Sequence, residues 1–118
     1  MKVAVPVKAN KQQIDNFFGR APYFAILDSD TRQITYEENV AAQAEGGAGT
    51  RAAQAIVDLG IECLGLPQCG KNAQEVLEAA DIEVYQTEGN SVRENLESLM
   101  AGTLLEFDEA HPGFNWGN

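Results

Sequence analysis

Few side chains in this 118-residue chain are soft metal ligands, and the best placed is Cys69. It stands between an apolar run ending at Leu66 and a helix-like run opening near Asn72. In open α/β sheets, that junction at the carboxyl end of a strand is where ligands bind. Amides at a helix start lower the pKa of a nearby thiol and favour thiolate, the form that binds metal. Cys69 is therefore the candidate soft ligand, set against a loop cysteine with no role. Cys63 lies inside the apolar run and reads as a small hydrophobe. Upstream, Gly46-Gly47-Ala48-Gly49-Thr50 opens a second helix. Its glycines Gly46, Gly47 and Gly49 could let backbone N–H groups converge on an anion, or could serve a tight turn and close helix packing. No Gly-Lys-Ser/Thr follows, so the segment is not a phosphate-binding P-loop. Arg20 could complement the same negative charge, or tie its loop down by bonding carbonyls. His111 is the one histidine, near the C-terminus beside Asp108 and Glu109.

That inventory restricts the chemistry. A closed zinc site wants four Cys/His ligands, and a protein-built iron–sulfur cluster usually wants four thiolates. Two Cys and one His supply neither. A preassembled cluster, bridged by its own sulfides and held at one or two points, is compatible with a monomer; a site shared across a homodimer is the other route.

The elements that must position these residues can be read from hydrophobic period and turn chemistry. Lys2–Val7 reads as a strand with Val3, Val5 and Val7 on one face, and Tyr23–Asp28 as a second. Ser29-Asp30-Thr31-Arg32 has turn chemistry, with short side chains that bond their own backbone. Residues 33–37 alternate, so these two strands form an antiparallel hairpin. The helix opened by the glycine segment carries an apolar face of Ala48, Ala52, Ala55, Ile56 and Leu59, and Gly60 suits its C-terminus. A buried strand follows over 61–66. Asn72 and Glu75 look like a capping pair for a helix burying Ala73, Val76, Leu77 and Ala80. Residues 82–85 form the last strand, and Ser91-Val92-Arg93-Glu94 is a capping box for a helix ended by Gly102. The order β-β-β-α-β-α-β-α predicts an α/β fold with a mixed five-stranded sheet: a hairpin, then parallel β-α-β units, covered by about three helices. Residues 1–107 make one domain, and 108–118 lack periodicity and read as a loose tail.

Composition excludes some functions. Eight basic against 18 acidic side chains leave a net charge of −10, which argues against nucleic acid and against anionic membranes. No apolar run approaches a membrane span, and Met1–Val7 lacks the features of a secretory signal, so the expected location is the cytoplasm. The first strand carries none of the acidic residues that would hold magnesium in a nuclease.

Several motifs together resemble the dinitrogenase iron–molybdenum cofactor biosynthesis family. They are Phe18-Gly19-Arg20-Ala21-Pro22-Tyr23-Phe24, Gly46-Gly47-Ala48-Gly49, Gly70-Lys71-Asn72-Ala73, and Ser91-Val92-Arg93-Glu94 with Ala101-Gly102-Thr103-Leu104. The likeness covers about residues 1–107. It implies a ribonuclease-H-like architecture and a non-catalytic carrier or docking domain for an iron–sulfur or iron–molybdenum cluster, working with cluster-assembly proteins. Members often carry His where this chain has Phe17, and an apolar residue where it has Cys69. The implied cofactor-binding set is Cys69, Arg20, Gly46, Gly47, Gly49, Gly70 and Asn72, with Cys69 as metal ligand. The competing expectation is a cofactor-free interaction or regulatory domain.

Overall fold

The computed structural model of the protein describes residues 1–107, so the reading of His111 and of the 108–118 tail lies outside the described residues. Five strands form one mixed sheet: β1 (Lys2–Val7), β2 (Tyr23–Asp28), β3 (Ile34–Glu38), β4 (Cys63–Leu66) and β5 (Glu83–Gln86), in spatial order β3-β2-β1-β4-β5. The hairpin is antiparallel, with Leu27 opposite Ile34 and Tyr23 opposite Glu38. Its turn is built from its own short side chains: Asp28 Oδ1 accepts from the Asp30 amide at 2.8 Å and Thr31 Oγ1 from the Gln33 amide at 3.3 Å. β1 runs antiparallel to β2 and parallel to β4, and β4 is parallel to β5.

Three helices cover this sheet: α1 (Ala48–Asp58), α2 (Lys71–Ala79) and α3 (Val92–Ala101). α1 and α2 pack on one face, where Ala52, Ala53, Ile56, Ala73 and Leu77 meet Ala4, Phe24, Ile26, Leu64 and Leu66. α3 covers the other, setting Val92, Leu96 and Leu99 against Val3, Val5, Val7, Ala25, Leu27 and Cys63. β1 lies mid-sheet and is buried on both sides from Val3 to Val7, because helices stand on both faces.

The local signals were strong where one residue decides the backbone. Ser91 Oγ accepts from the Glu94 amide at 3.2 Å and caps α3, while Gly60 (φ 73°) and Gly102 (φ 74°) turn the chain out of α1 and α3. Three details depart from the sequence expectation. In α1 it is Ala53, not Ala55 or Leu59, that joins the fully buried set, since two facing elements widen the buried arc. Ala80 is exposed because α2 ends before it. Asn72 does not cap α2: Gly70 holds the N-cap position without a side-chain bond, and Asn72 is already inside the first turn.

Two short 3₁₀ turns, Phe18–Arg20 and Val40–Gln43, were not foreseen. Asn39, 2 % exposed, joins them. Its Nδ2 donates to the carbonyls of Ala21 (2.9 Å) and Gly19 (3.3 Å), and its Oδ1 accepts from the Ala41 amide (3.1 Å). A buried amide so fully paired fixes both turns, because losing any partner would strand a polar atom in the interior.

Candidate functional site

β1, β3 and β4 run in the same direction, so the segments leaving their carboxyl ends emerge on one edge of the sheet. Those segments are the walls of a cleft of about 640 Å³: residues 16–20 after β1, 47–50 after β3, and 68–73 after β4. The expectation that the glycine loop and the loop after β4 share an edge holds. The chain does not pass straight from β3 into the glycines, however; the Val40–Gln43 turn intervenes.

Two of the walls touch at Gly19, where the contact is too close for a side chain. A Cβ built on Gly19 would lie 2.9 Å from the Ala48 carbonyl carbon, and one on Gly49 would sit 3.6 Å from Ala73 Cβ. Gly47, at φ 67°, takes the left-handed conformation that lets the chain enter α1. Gly47 therefore serves the turn, while the backbone of Gly49 receives the close approach of Gly19. Gly46, by contrast, does not line the cleft, and a Cβ there would meet nothing within 4 Å.

The electrostatics of the cleft differ from those of the chain. Among the described residues, none that lines it is acidic, although the sequence carries 18 acidic side chains. Arg20 and Lys71 supply positive charge. Two helix N-termini open into the same space. In α1 the first laddered amide is that of Arg51, on the Gly47 carbonyl at 3.0 Å; in α2 it is that of Gln74, on Gly70 at 3.0 Å. The amides of 48–50 and 71–73 are thus left without intrahelical acceptors. Neither helix has a side-chain cap or an acidic residue in its first turn. α3, remote from the cleft, has both in Ser91 and Glu94. Lys71 even sets a cation on the positive end of the α2 dipole, which costs about 0.3–1 kcal/mol.

Of the two candidate side chains, Arg20 bonds carbonyls, one of the two roles its sequence allowed, and Cys69 departs from its sequence reading. Arg20 reaches the carbonyls of Ala42, at 3.0 Å, and Ala44, so it ties the two short turns together while keeping its charge beside the cleft. Cys69 lines the cleft floor but is 2 % exposed and belongs to the core around α1 and α2. Its thiol donates weakly to the Gly70 carbonyl at 3.5 Å. Burial, with a smaller contribution from the charge of Glu78, pushes its pKa up to about 12. The expected lowering by helix amides is overturned, because desolvation of a thiolate outweighs the dipole when no water reaches the sulfur. Cys63 is buried as read, its thiol 3.6 Å from Glu83 Oε1, and burial followed by the Glu83 charge raises it to about 11. Among the described residues no group of three His, Cys, Asp or Glu side chains could hold a metal ion. Gly70 and Asn72 both line the cleft.

Lys71, Gly19, Gln68 and Asn39 were missed as individual site residues. Lys71 and Gly19 lay inside quoted motifs, which was the available signal. Gln68 and Asn39 act through contacts distant in sequence and left none. Phe17, 64 % exposed, stands at the cleft rim.

Residues 1–102 match the family model described as dinitrogenase iron-molybdenum cofactor. An uncharacterised protein of Methanocaldococcus jannaschii is 28 % identical over 111 residues, 92 % of each chain. Among solved structures, the apo form of the orange protein from Desulfovibrio gigas superposes with a TM-score of 0.80 at 31 % identity, over 89 % of this chain and 91 % of that one. A NifB-like protein from Thermotoga, solved by NMR, gives 0.76 at 33 % identity over 99 % and 98 %.

Proposed function

The chain belongs to the dinitrogenase iron-molybdenum cofactor family, and from that premise we infer that it is a non-catalytic carrier for a preassembled, anionic metal–sulfur cluster of the iron–sulfur or iron–molybdenum kind. One observation carries the reading: in a chain of net charge −10, the cleft that gathers two uncapped helix N-termini also gathers Arg20 and Lys71 and, among the described residues, no acidic side chain. The uncapped amides and the Lys71 charge on a helix N-terminus are unfavourable in the empty protein, and both become favourable once an anion occupies the cleft.

The same inventory says how the cargo would be held. The amides of Ala48, Gly49, Thr50, Lys71, Asn72 and Ala73 are the available donors, with the ammonium of Lys71 and the guanidinium of Arg20 supplying charge. Cys69 is the soft atom of the lining, yet as a ligand it would have to give up a proton retained to about pH 12. The cluster's own sulfides and terminal ligands therefore complete the metal coordination, and the protein contributes hydrogen bonds and field.

The test is anaerobic incubation with a synthetic four-iron, four-sulfide cluster capped by water-soluble thiolates, followed by gel filtration. Co-eluting iron and visible absorbance support the carrier reading, and their loss in Lys71→Glu assigns the cleft. Colourless, iron-free protein would favour the second reading, a cofactor-free interaction domain, for which the exposed Phe17 is the supporting observation.

A further inference from the structure

Three walls enclose the cleft, and their three seams are not equally strong. Between residues 16–20 and the start of α1 the contact is backbone on backbone, with no room for a methyl group on Gly19. Between α1 and α2 the helices are joined through one core, with Ala52, Ala53 and Ile56 of α1 in the same buried cluster as Ala73 and Leu77 of α2. The third seam, between residues 16–20 and the loop after β4, is different. Its one hydrogen bond among the described residues runs from Gln68 Nε2 to the Asn16 carbonyl at 3.0 Å, between two exposed residues.

Behind that bond each loop is anchored separately. The β4 loop is held by Gln86 Nε2 on the Pro67 carbonyl at 3.0 Å and by the Thr87 amide on Leu66 at 3.1 Å. The opposite loop is held by the Asp15 amide on the Pro6 carbonyl at 3.0 Å. The Phe17 amide, donating to Asp15 Oδ1 at 2.8 Å, and the Arg20 amide, donating to the Phe17 carbonyl at 3.0 Å, are bonded within the loop beyond that anchor. The seam can therefore open at residues 16 and 17, ahead of the turn that Asn39 fixes, loosening those two internal bonds while both anchors stay in place.

We propose that Gln68 and the Asn16 carbonyl form a latch across the cleft, whose opening admits and releases the cargo. The proposal rests on the carrier reading for its cargo, but the latch itself is a property of the empty protein. Gln68 is a positioning residue: it holds the 16–20 wall against the β4 loop and need not touch the cluster. A single exposed hydrogen bond opens easily on the timescale of loop motion. The two packed seams would demand displacement of backbone.

The experiment compares wild type with Gln68→Ala and with Gln68→Glu, whose ionised carboxylate cannot donate to a carbonyl. In the empty protein, hydrogen exchange is followed at the Phe17 and Arg20 amides, both of which are bonded within the wall. Exchange there should quicken by roughly two- to tenfold in both variants, the change expected from losing one neutral hydrogen bond. Exchange in β1 and β2 should stay as in wild type. In loaded protein, release of the synthetic cluster to an iron chelator should quicken by a similar factor, while equilibrium affinity changes less because entry quickens too. Unchanged exchange at Phe17 and Arg20 would overturn the latch. Faster exchange with unchanged release would overturn its role as a gate. If wild type takes up no cluster, the carrier reading fails, and the exchange measurement still decides the latch.

Discussion

A Cβ placed on Gly19 would lie 2.7 Å from the amide nitrogen of Gly49, closer than side-chain carbons approach backbone. Thirty residues apart in sequence, the two glycines form the floor of one cleft, and the α1 N-terminus reaches its position because position 19 has no side chain.

Gly19→Ala should therefore destabilise the fold by about 1–3 kcal/mol, the range for overpacking a tight contact. Since the colliding atoms are backbone, the wall must shift and cargo uptake should fall as well. Gly46→Ala is the control: its Cβ meets nothing within 4 Å, and stability should stay within about 0.5 kcal/mol with uptake intact. Urea midpoints and bound iron per chain check both variants.

Lys71→Glu should separate stability from function. An acidic residue in the first turn of α2 complements the helix dipole, so the empty protein should gain about 0.3–1 kcal/mol. The same change puts a negative charge in the cleft and should abolish uptake of an anionic cluster. A variant that is both less stable and still loaded would contradict the charge argument.

Cys69 gives a pH signature. Its thiol ionises near 9.0 when free of the fold and near 12 inside it. Below the first value both states keep the proton, and the contribution to stability is fully present. As pH rises through that interval the unfolded chain ionises while the folded one does not, so stability is lost progressively. Cys63 and Tyr85, raised to about 11 and about 12, act in the same direction. Urea midpoints measured across this window should fall less steeply for Cys69→Ala than for wild type.

The same residue has a cargo test. Cys69→Ser buries a hydroxyl and should cost about 1–3 kcal/mol, more than an exposed loop position would. Iron bound per folded molecule should match wild type if amides and cations hold the cluster. Loss of most of the iron would assign the sulfur as a ligand.

Asn39→Ala should be among the more damaging single changes outside the apolar core. It leaves the carbonyls of Gly19 and Ala21 and the Ala41 amide without their partner, a loss of about 2–3 kcal/mol for groups so buried. Thermal unfolding measures it, and faster proteolysis near residues 16–20 would localise it.

Much of this protein was determined along the chain itself. The β1 and β2 limits, the hairpin turn, the Ser91 cap and the glycines ending α1 and α3 follow from interactions spanning a few residues. Those depend on side-chain period, short polar groups and φ, all of which are local. The sharing of an edge by the glycine loop and the loop after β4 was also legible, because strand direction follows from helical crossovers. What the tertiary structure alone decided is the character of the cleft. Whether Cys69 would be a thiolate depended on burial against opposing chemistry at the helix start, and desolvation is set by neighbours that no local pattern names. Asn72 lost its capping role to Gly70 once the loop after β4 had fixed where α2 begins. A net charge of −10 could not reveal a cavity whose described lining holds no acidic side chain, since charge sums over the chain while a field is made by the groups that folding brings together. The reason is one of range: hydrogen bonds within a turn are written in adjacent residues, whereas burial and electrostatic potential are properties of the surfaces that meet.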